Sequence, residues 1–325
     1  MKRCLLLGLL VLLTVVAFAC GQGNADKRVV IWSSMEDFRT EYALTRLNEQ
    51  FPDYDIILEP IPSGNMSARL IAEGTNSECD IALAFDISAV DALGDVLVDL
   101  SDRDFTVYLD ELIPAVKNYM VWERWSGCIV INEDALNERG LPVPESYDDL
   151  LKSEYKGLVS MPNPASSGTG YFFLWQLSHI WGEDNAFDYF DRLAPNVLQF
   201  TTSGSGPINA LLMGEAAIGF GMTFQAVTER NKGANFNITF FEEGSPYGAL
   251  GLGMIKGREE STAVQEVFDF LLSDLIHEDK ELFSPELIFK GQTIQIPNYP
   301  SVPYADMTGF FNEAARTRLL DRWMY

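Results

Sequence analysis

Met161-Pro162-Asn163-Pro164-Ala165-Ser166-Ser167-Gly168-Thr169-Gly170 runs without a break into the apolar stretch Tyr171 to Trp181. A proline-bounded loop thus delivers two serines, a glycine and a threonine to the start of a predicted helix. The first amides of a helix have no internal partner and carry the positive end of its dipole. Such a tip holds an anion without a lysine or arginine. An ordinary N-cap would need only Ser167. The flanking segments decide between the two readings.

Toward the N-terminus, Lys2 and Arg3 precede an apolar run, Leu5 to Ala19, shorter than the ~20 residues that span a bilayer as a helix. Residues 1–20 read as a secretory signal peptide. Ala17-Phe18-Ala19-Cys20 suits ordinary signal peptidase. It also resembles a bacterial lipobox, in which Cys20 is lipidated, although Ala17 stands where leucine is usual. Lipidation is the favoured reading, because Gly21-Gln22-Gly23-Asn24 would form a flexible tether. The remaining chain of about 305 residues is long enough for two domains. The formal net charge of -24 repels nucleic acid and anionic lipid headgroups and favours solubility. Cys79 and Cys128 both lie in strand-like contexts, as a pair or as two buried thiols. The 2 histidines, His179 and His277, have no second ligand at metal spacing, so no metal site is expected. His179 reads as structural. No cofactor motif is present.

Arg28 to Trp32 reads as a buried strand ending in Ser33-Ser34, and Glu36 to Phe51 as an amphipathic helix. Asp55 to Glu59 is a strand ending in Pro62-Ser63-Gly64-Asn65, Met66 to Glu73 a helix, and Asp80 to Phe85 a strand ending in Asp86. The β-α-β-α-β order implies a parallel sheet, whose ligands sit beyond the carboxyl ends of the strands. Ser33, Ser34, Gly64, Asn65 and Asp86 fall at those ends. Each alone would serve equally as a cap or turn.

A second α/β unit begins near Gly127. Gly157 to Met161 is the strand that feeds the serine loop. Val197 to Phe200 leads into Thr201-Thr202-Ser203-Gly204-Ser205-Gly206, a second Ser/Gly loop that opens a helix, with Pro207 in its first turn. Ala216 to Met222 is a strand ending at Thr223, and Ile238 to Phe241 one ending in Glu242-Glu243. Ala249 to Lys256, a helix from Glu260 to Leu275 and a terminal helix from Asn312 to Trp323 complete the chain. The order suggests two α/β lobes, with a small ligand between them.

The chain resembles the extracellular solute-binding proteins of bacterial ABC importers, in the branch of ferric-ion, thiamine, phosphonate and hexose-phosphate binders. Four features carry the resemblance: Val30-Ile31-Trp32-Ser33-Ser34; Gly127 to Asn132 with Pro142-x-Pro144 and Tyr155-Lys156-Gly157; Pro162 to Gly170; and Gly214-Glu215-Ala216-Ala217-Ile218-Gly219. It implies an α/β, two-lobed periplasmic-binding-protein fold (type II-like) with ligand in the interlobe cleft. Lobe 1 is expected over 27–125 plus 250–325 and lobe 2 over 126–249. It implies capture of a small solute and delivery to a membrane ABC permease, outside the cytoplasm, by a lipid-anchored monomer without catalysis.

Ferric binders of this type place two adjacent tyrosines where this chain has Thr223-Phe224-Gln225. Phenylalanine cannot ligate iron, so a small organic anion such as a sugar phosphate or phosphonate fits better. Ser166, Ser167, Gly168 and Thr169 would supply donors from one helix start and Ser203, Gly204 and Ser205 from another. Ser33 and Ser34 would face them, and Asp86, Thr223, Gln225, Glu242 and Glu243 would take the rest of the ligand, although at least one of the two glutamates reads equally as a solvated turn. Trp32, Tyr171 and Tyr247 could stack on a sugar ring, although Trp32 reads more safely as core. Ferric iron, thiamine or a polyamine on the same fold is the alternative. A sensory receptor or an enzyme is the alternative of another class, although no Ser-His-Asp set, Walker loop or GxGxxG is present.

Overall fold

The computed structural model describes residues 27–310 and 312–325. The signal segment, the lipobox and Cys20 lie outside the described residues. The chain forms two compact units: one ends at Trp122 and resumes over Leu250–Phe283, and the other comprises Glu123–Ala249 and Ser284–Tyr325.

In the first unit, strand β1 (Arg28–Ser33) pairs in parallel with β2 (Asp55–Pro60) on one side and β3 (Ile81–Asp86) on the other. Val29 to Trp32 are buried throughout, as a central parallel strand covered on both faces requires. Helix α1 (Asp37–Gln50) turns Ala43 and Leu47 inward, and α2 (Ser63–Glu73) turns Met66 and Leu70 inward. Helix α2 starts three residues before the expected Met66, so Ser63, Gly64 and Asn65 form its first turn. One ion cluster is buried: Arg39 Nε and Nη2 reach both carboxylate oxygens of Asp279, and Lys280 Nζ lies 2.9 Å from Oδ2.

In the second unit, β4 (Met120–Asn132), whose first residues belong to the first unit, pairs antiparallel with β7 (Ile218–Met222) and β8 (Phe236–Thr239). Strand β5 (Val159–Pro162) runs parallel to both β6 (Val197–Thr201) and β7. A cluster of Cys128, Val130, Ile208, Leu211 and Phe236 packs between this sheet and its helices. Back in the first unit, the Leu250–Met254 part of strand β9 (Tyr247–Met254) pairs antiparallel with β3, a pairing the β-α-β order does not foretell.

The C-terminal segment corrects the expected boundaries. Residues 284–325, expected with lobe 1, pack on the second unit. Helix α10 (Glu313–Arg322) sends Arg318 to Glu183 and Arg322 to Asp184, while Trp323 sits edge-on to Phe190 and Phe200. Trp323 is 8% exposed, so apolar burial as well as charge docks the tail there.

Candidate ligand-binding site

The carboxyl ends of β1, β2 and β3 align at one edge of the first sheet, because Ser33 is in register with Pro60 and with Leu83. That edge carries Ser33, Ser34, the first turn of α2 and Asp86. Much of its polar capacity serves the chain itself. Ser33 Oγ accepts from the Met35 amide, and the Ser34 hydroxyl donates to the Ala84 carbonyl. Ala84 is held at φ 60, within an irregularity of the β3–β9 register between Leu83 and Phe85. For a residue with a Cβ that conformation is strained. Asp86 Oδ1 accepts the Ser88 amide at 2.9 Å. Asn65 is exposed.

In the second unit the parallel register of β5, β6 and β7 brings three loops to one edge. Pro162 is opposite Thr201, the Asn163 amide donates to the Thr201 carbonyl, and Ser160 is opposite Gly219, three residues before Met222. Helix α4 (Gly168–Trp181) starts here. The Ser166 and Ser167 amides donate back to Asn163 O, and Ser167 Oγ accepts the Gly170 amide at 3.4 Å. Ser167 therefore performs the ordinary cap. Helical pairing begins with the Tyr171 amide on Ser167 O. The Gly168 and Thr169 amides thus precede the helix's own bonding. Glycine is needed at 170, where a Cβ would lie 2.4 Å from Pro162 O.

The second Ser/Gly loop touches the first. A Cβ on Gly204 would lie 2.4 Å from Thr169 Oγ1 and 3.6 Å from Met222 Sδ. Helix α6 (Gly206–Leu212) follows, with Pro207 in its first turn. Ser203 and Ser205 hydroxyls are 3.1 Å apart. Gln225, in helix α7 (Thr223–Asn231), reaches Ser205 O and Asn209 Oδ1 only at 3.4 and 3.5 Å, and its Oε1 is buried with no hydrogen-bond partner among the described residues. Thr169, Gly204 and the start of α7 thus meet at one corner, with Ser166 and Gly168 exposed beside it.

Several expected contributors lie elsewhere. Thr223 is fully buried, its Oγ1 lying 2.8 Å from Ser126 Oγ. Ser126 in turn donates to Glu286 Oε1 at 2.6 Å, and Tyr299 and Tyr304 hydroxyls donate to the two oxygens of the same carboxylate. Burial and the Glu286 charge push both phenols far above their ordinary value. The Arg124 guanidinium lies 3.4 Å from the Tyr304 ring centroid. Sequence reading missed this network. Its members come from β4, α7 and the tail that was expected in the other lobe. The signal that could have found it is a glutamate followed by two proline-flanked tyrosines. Glu242 and Glu243 are also apart from the serine corner. Both line a groove that Trp181 lines too. Trp181 ends α4, about 20 Å along the helix from Gly168. The stacking role fails for Trp32 and Tyr171, each 0% exposed, and for Tyr247, buried against Tyr304. Trp32 has Arg69 4.1 Å from its ring centroid. His179 stacks on Trp175 and lies 3.6 Å from Asp306. Cys79 and Cys128 are buried free thiols, each pushed up to about 12 by burial.

A family model for bacterial extracellular solute-binding proteins matches residues 93–284, more than half of the chain. The chain belongs to that family. Among relatives of this solute-binding protein, a Haemophilus influenzae protein without a functional name is 29% identical over 266 residues, 78% of this chain and 75% of its own. A Salmonella typhi protein named as a candidate 2-aminoethylphosphonate-binding periplasmic protein is 23% identical over 281 residues, 81% of this chain and 79% of its own. The structure of the periplasmic binding protein AfuA from Actinobacillus pleuropneumoniae, with fructose-6-phosphate bound, superposes with a TM-score of 0.74 at 24% identity, covering 91% of this chain and 97% of that one. Apo ferric ion-binding protein A from Pasteurella haemolytica superposes with a TM-score of 0.74 at 15% identity, covering 91% and 97%. These likenesses establish the two-lobed periplasmic-binding-protein fold, and the family and fold are those of binding proteins rather than enzymes. Members deliver small ligands to ABC permeases from outside the cytoplasm.

Proposed function

We propose that this solute-binding protein captures a small organic phosphate or phosphonate and presents it to its permease while tethered through a lipid on Cys20. The observation that carries the reading is the corner where Gly204 and Thr169 touch. There the Gly168 and Thr169 amides, ahead of the first helical bond of α4, adjoin a second loop of serines. Each charge-assisted hydrogen bond to an anion contributes roughly 1.5–3 kcal/mol, so a few offset the loss of its hydration. The buried, unpartnered Oε1 of Gln225 adds an acceptor suited to a ligand hydroxyl or ammonium. Thr223-Phe224 at the start of α7 weighs against tyrosinate ligation of ferric iron. The names carried by the Salmonella and Actinobacillus proteins lend support by analogy.

The test is thermal melting against fructose 6-phosphate, 2-aminoethylphosphonate, inorganic phosphate, thiamine and ferric iron. A phosphorus oxyanion is expected to raise Tm by mass action, as any ligand of the native state does. A rise with iron or thiamine and none with any oxyanion would refute the ligand class. For the anchor, labelling cells with a fatty-acid probe should mark the wild-type chain and spare Cys20→Ala.

A further inference from the structure

We propose a second ligand site in the second unit, a groove at the far end of α4 that takes a linear organic polycation such as a polyamine. The groove measures about 660 Å³, within the range of small-molecule sites. Its floor is aromatic. Tyr147 packs edge-on to Trp181 at 5.6 Å and to Tyr189 at 5.8 Å, and Trp181 packs edge-on to Tyr189 at 5.2 Å. Tyr147 and Tyr189 are buried, whereas Trp181 is half-buried, and all three line the groove. Its rim is acidic. Glu145, Asp148, Glu242 and Glu243 line it, and none of these carboxylates forms an ion pair among the described residues. The single cation of the lining, Arg192, is 3.6 Å from Asp188.

Three further observations point to the same chemistry. Tyr147 is 2% exposed, yet its hydroxyl has no hydrogen bond among the described residues, while its backbone carbonyl receives the Tyr189 hydroxyl. Burial and the neighbouring charge of Glu243 both hold that phenol above its ordinary value, and both residues line the groove. Trp181 is the last residue of α4, so the negative end of the helix dipole adjoins the groove. Among the described residues no three carboxylates converge as a metal-holding group. Dispersed negative charge above aromatic faces suits several ammonium groups on an apolar chain better than one hard ion.

Calorimetric titration of the full mature protein with spermidine in 0.15 M salt tests the site. Saturable binding is expected, weakened at least about tenfold in Asp148→Asn/Glu242→Gln, both exposed positions. Trp181→Leu should weaken it about three- to tenfold and Trp181→Phe less, since an aromatic face remains. Magnesium at equal ionic strength should displace spermidine poorly. Absence of saturable binding, binding unchanged in both the charge variant and Trp181→Leu, or equal displacement by magnesium would each overturn the proposal. The charge variant should keep the melting response to phosphorus oxyanions, so this site and the serine corner are tested separately.

Discussion

Replacing Gly204 by alanine probes the serine corner with one methyl group. Its Cβ would lie 2.4 Å from Thr169 Oγ1 and 3.0 Å from Thr169 Cβ, against the roughly 3.4 Å of ordinary contact, so about 1 Å must be recovered by movement. Thr169 is 4% exposed and sits in the first turn of α4, so it cannot simply swing into solvent. Overpacking of this kind costs about 1–3 kcal/mol of stability. A 1 Å displacement of the Thr169 hydroxyl and amide removes at least one charge-assisted hydrogen bond to a bound anion. That is about 1.5–3 kcal/mol, or roughly a 10- to 150-fold rise in Kd. The assay is calorimetric titration with 2-aminoethylphosphonate and fructose 6-phosphate, paired with urea unfolding. The double variant Gly204→Ala/Thr169→Ala relieves the crowding, so stability should partly return while affinity stays low. This non-additivity is the mark of two residues in direct contact. Unchanged Kd in Gly204→Ala despite lowered stability would refute the reasoning, because the loops would then meet only to pack.

Glu286→Ala removes the acceptor shared by the buried Ser126 hydroxyl and the half-buried Tyr299 and Tyr304 hydroxyls and should destabilise the protein by about 3–5 kcal/mol in urea unfolding, with earlier proteolytic cleavage within 284–325. Acid stability should reflect Asp279. Burial raises its carboxyl, but the charges of Lys280 and Arg39 outweigh burial and hold it below the ordinary value. Its contribution is therefore full above the unfolded value of about 3.9 and is lost as pH falls through the folded one. Asp279→Asn should flatten that part of the stability–pH curve below about pH 4, measured by melting at stepped pH. With protein beginning at Gly21, Ellman's reagent should find Cys79 and Cys128 unreactive in the native state and both reactive in denaturant, because burial disfavours the thiolate.

Local chemistry made much of this protein legible in its sequence. The buried run Val29 to Trp32, the capping residue Ser167 and the Pro207 helix start all act within a few residues, and the structure has each in that role. The meeting of the serine loop with Gly204 follows from parallel strands, whose carboxyl ends share an edge whenever their register aligns. Other features depend on groups far apart in the chain. Thr223 looked like a free donor until Ser126 and Glu286, 97 and 63 residues from it, claimed the space around it. Glu243 looked like a partner of Thr169 until α4 carried its groove to the other helix end. The tail joined the second unit because Trp323 and the arginines of α10 found Phe190, Glu183 and Asp184 there. Propensity and capping are short-range and can be read along the chain. The partner of a buried carboxylate, and the face against which a tail packs, are decided only when distant segments compete for the same contact.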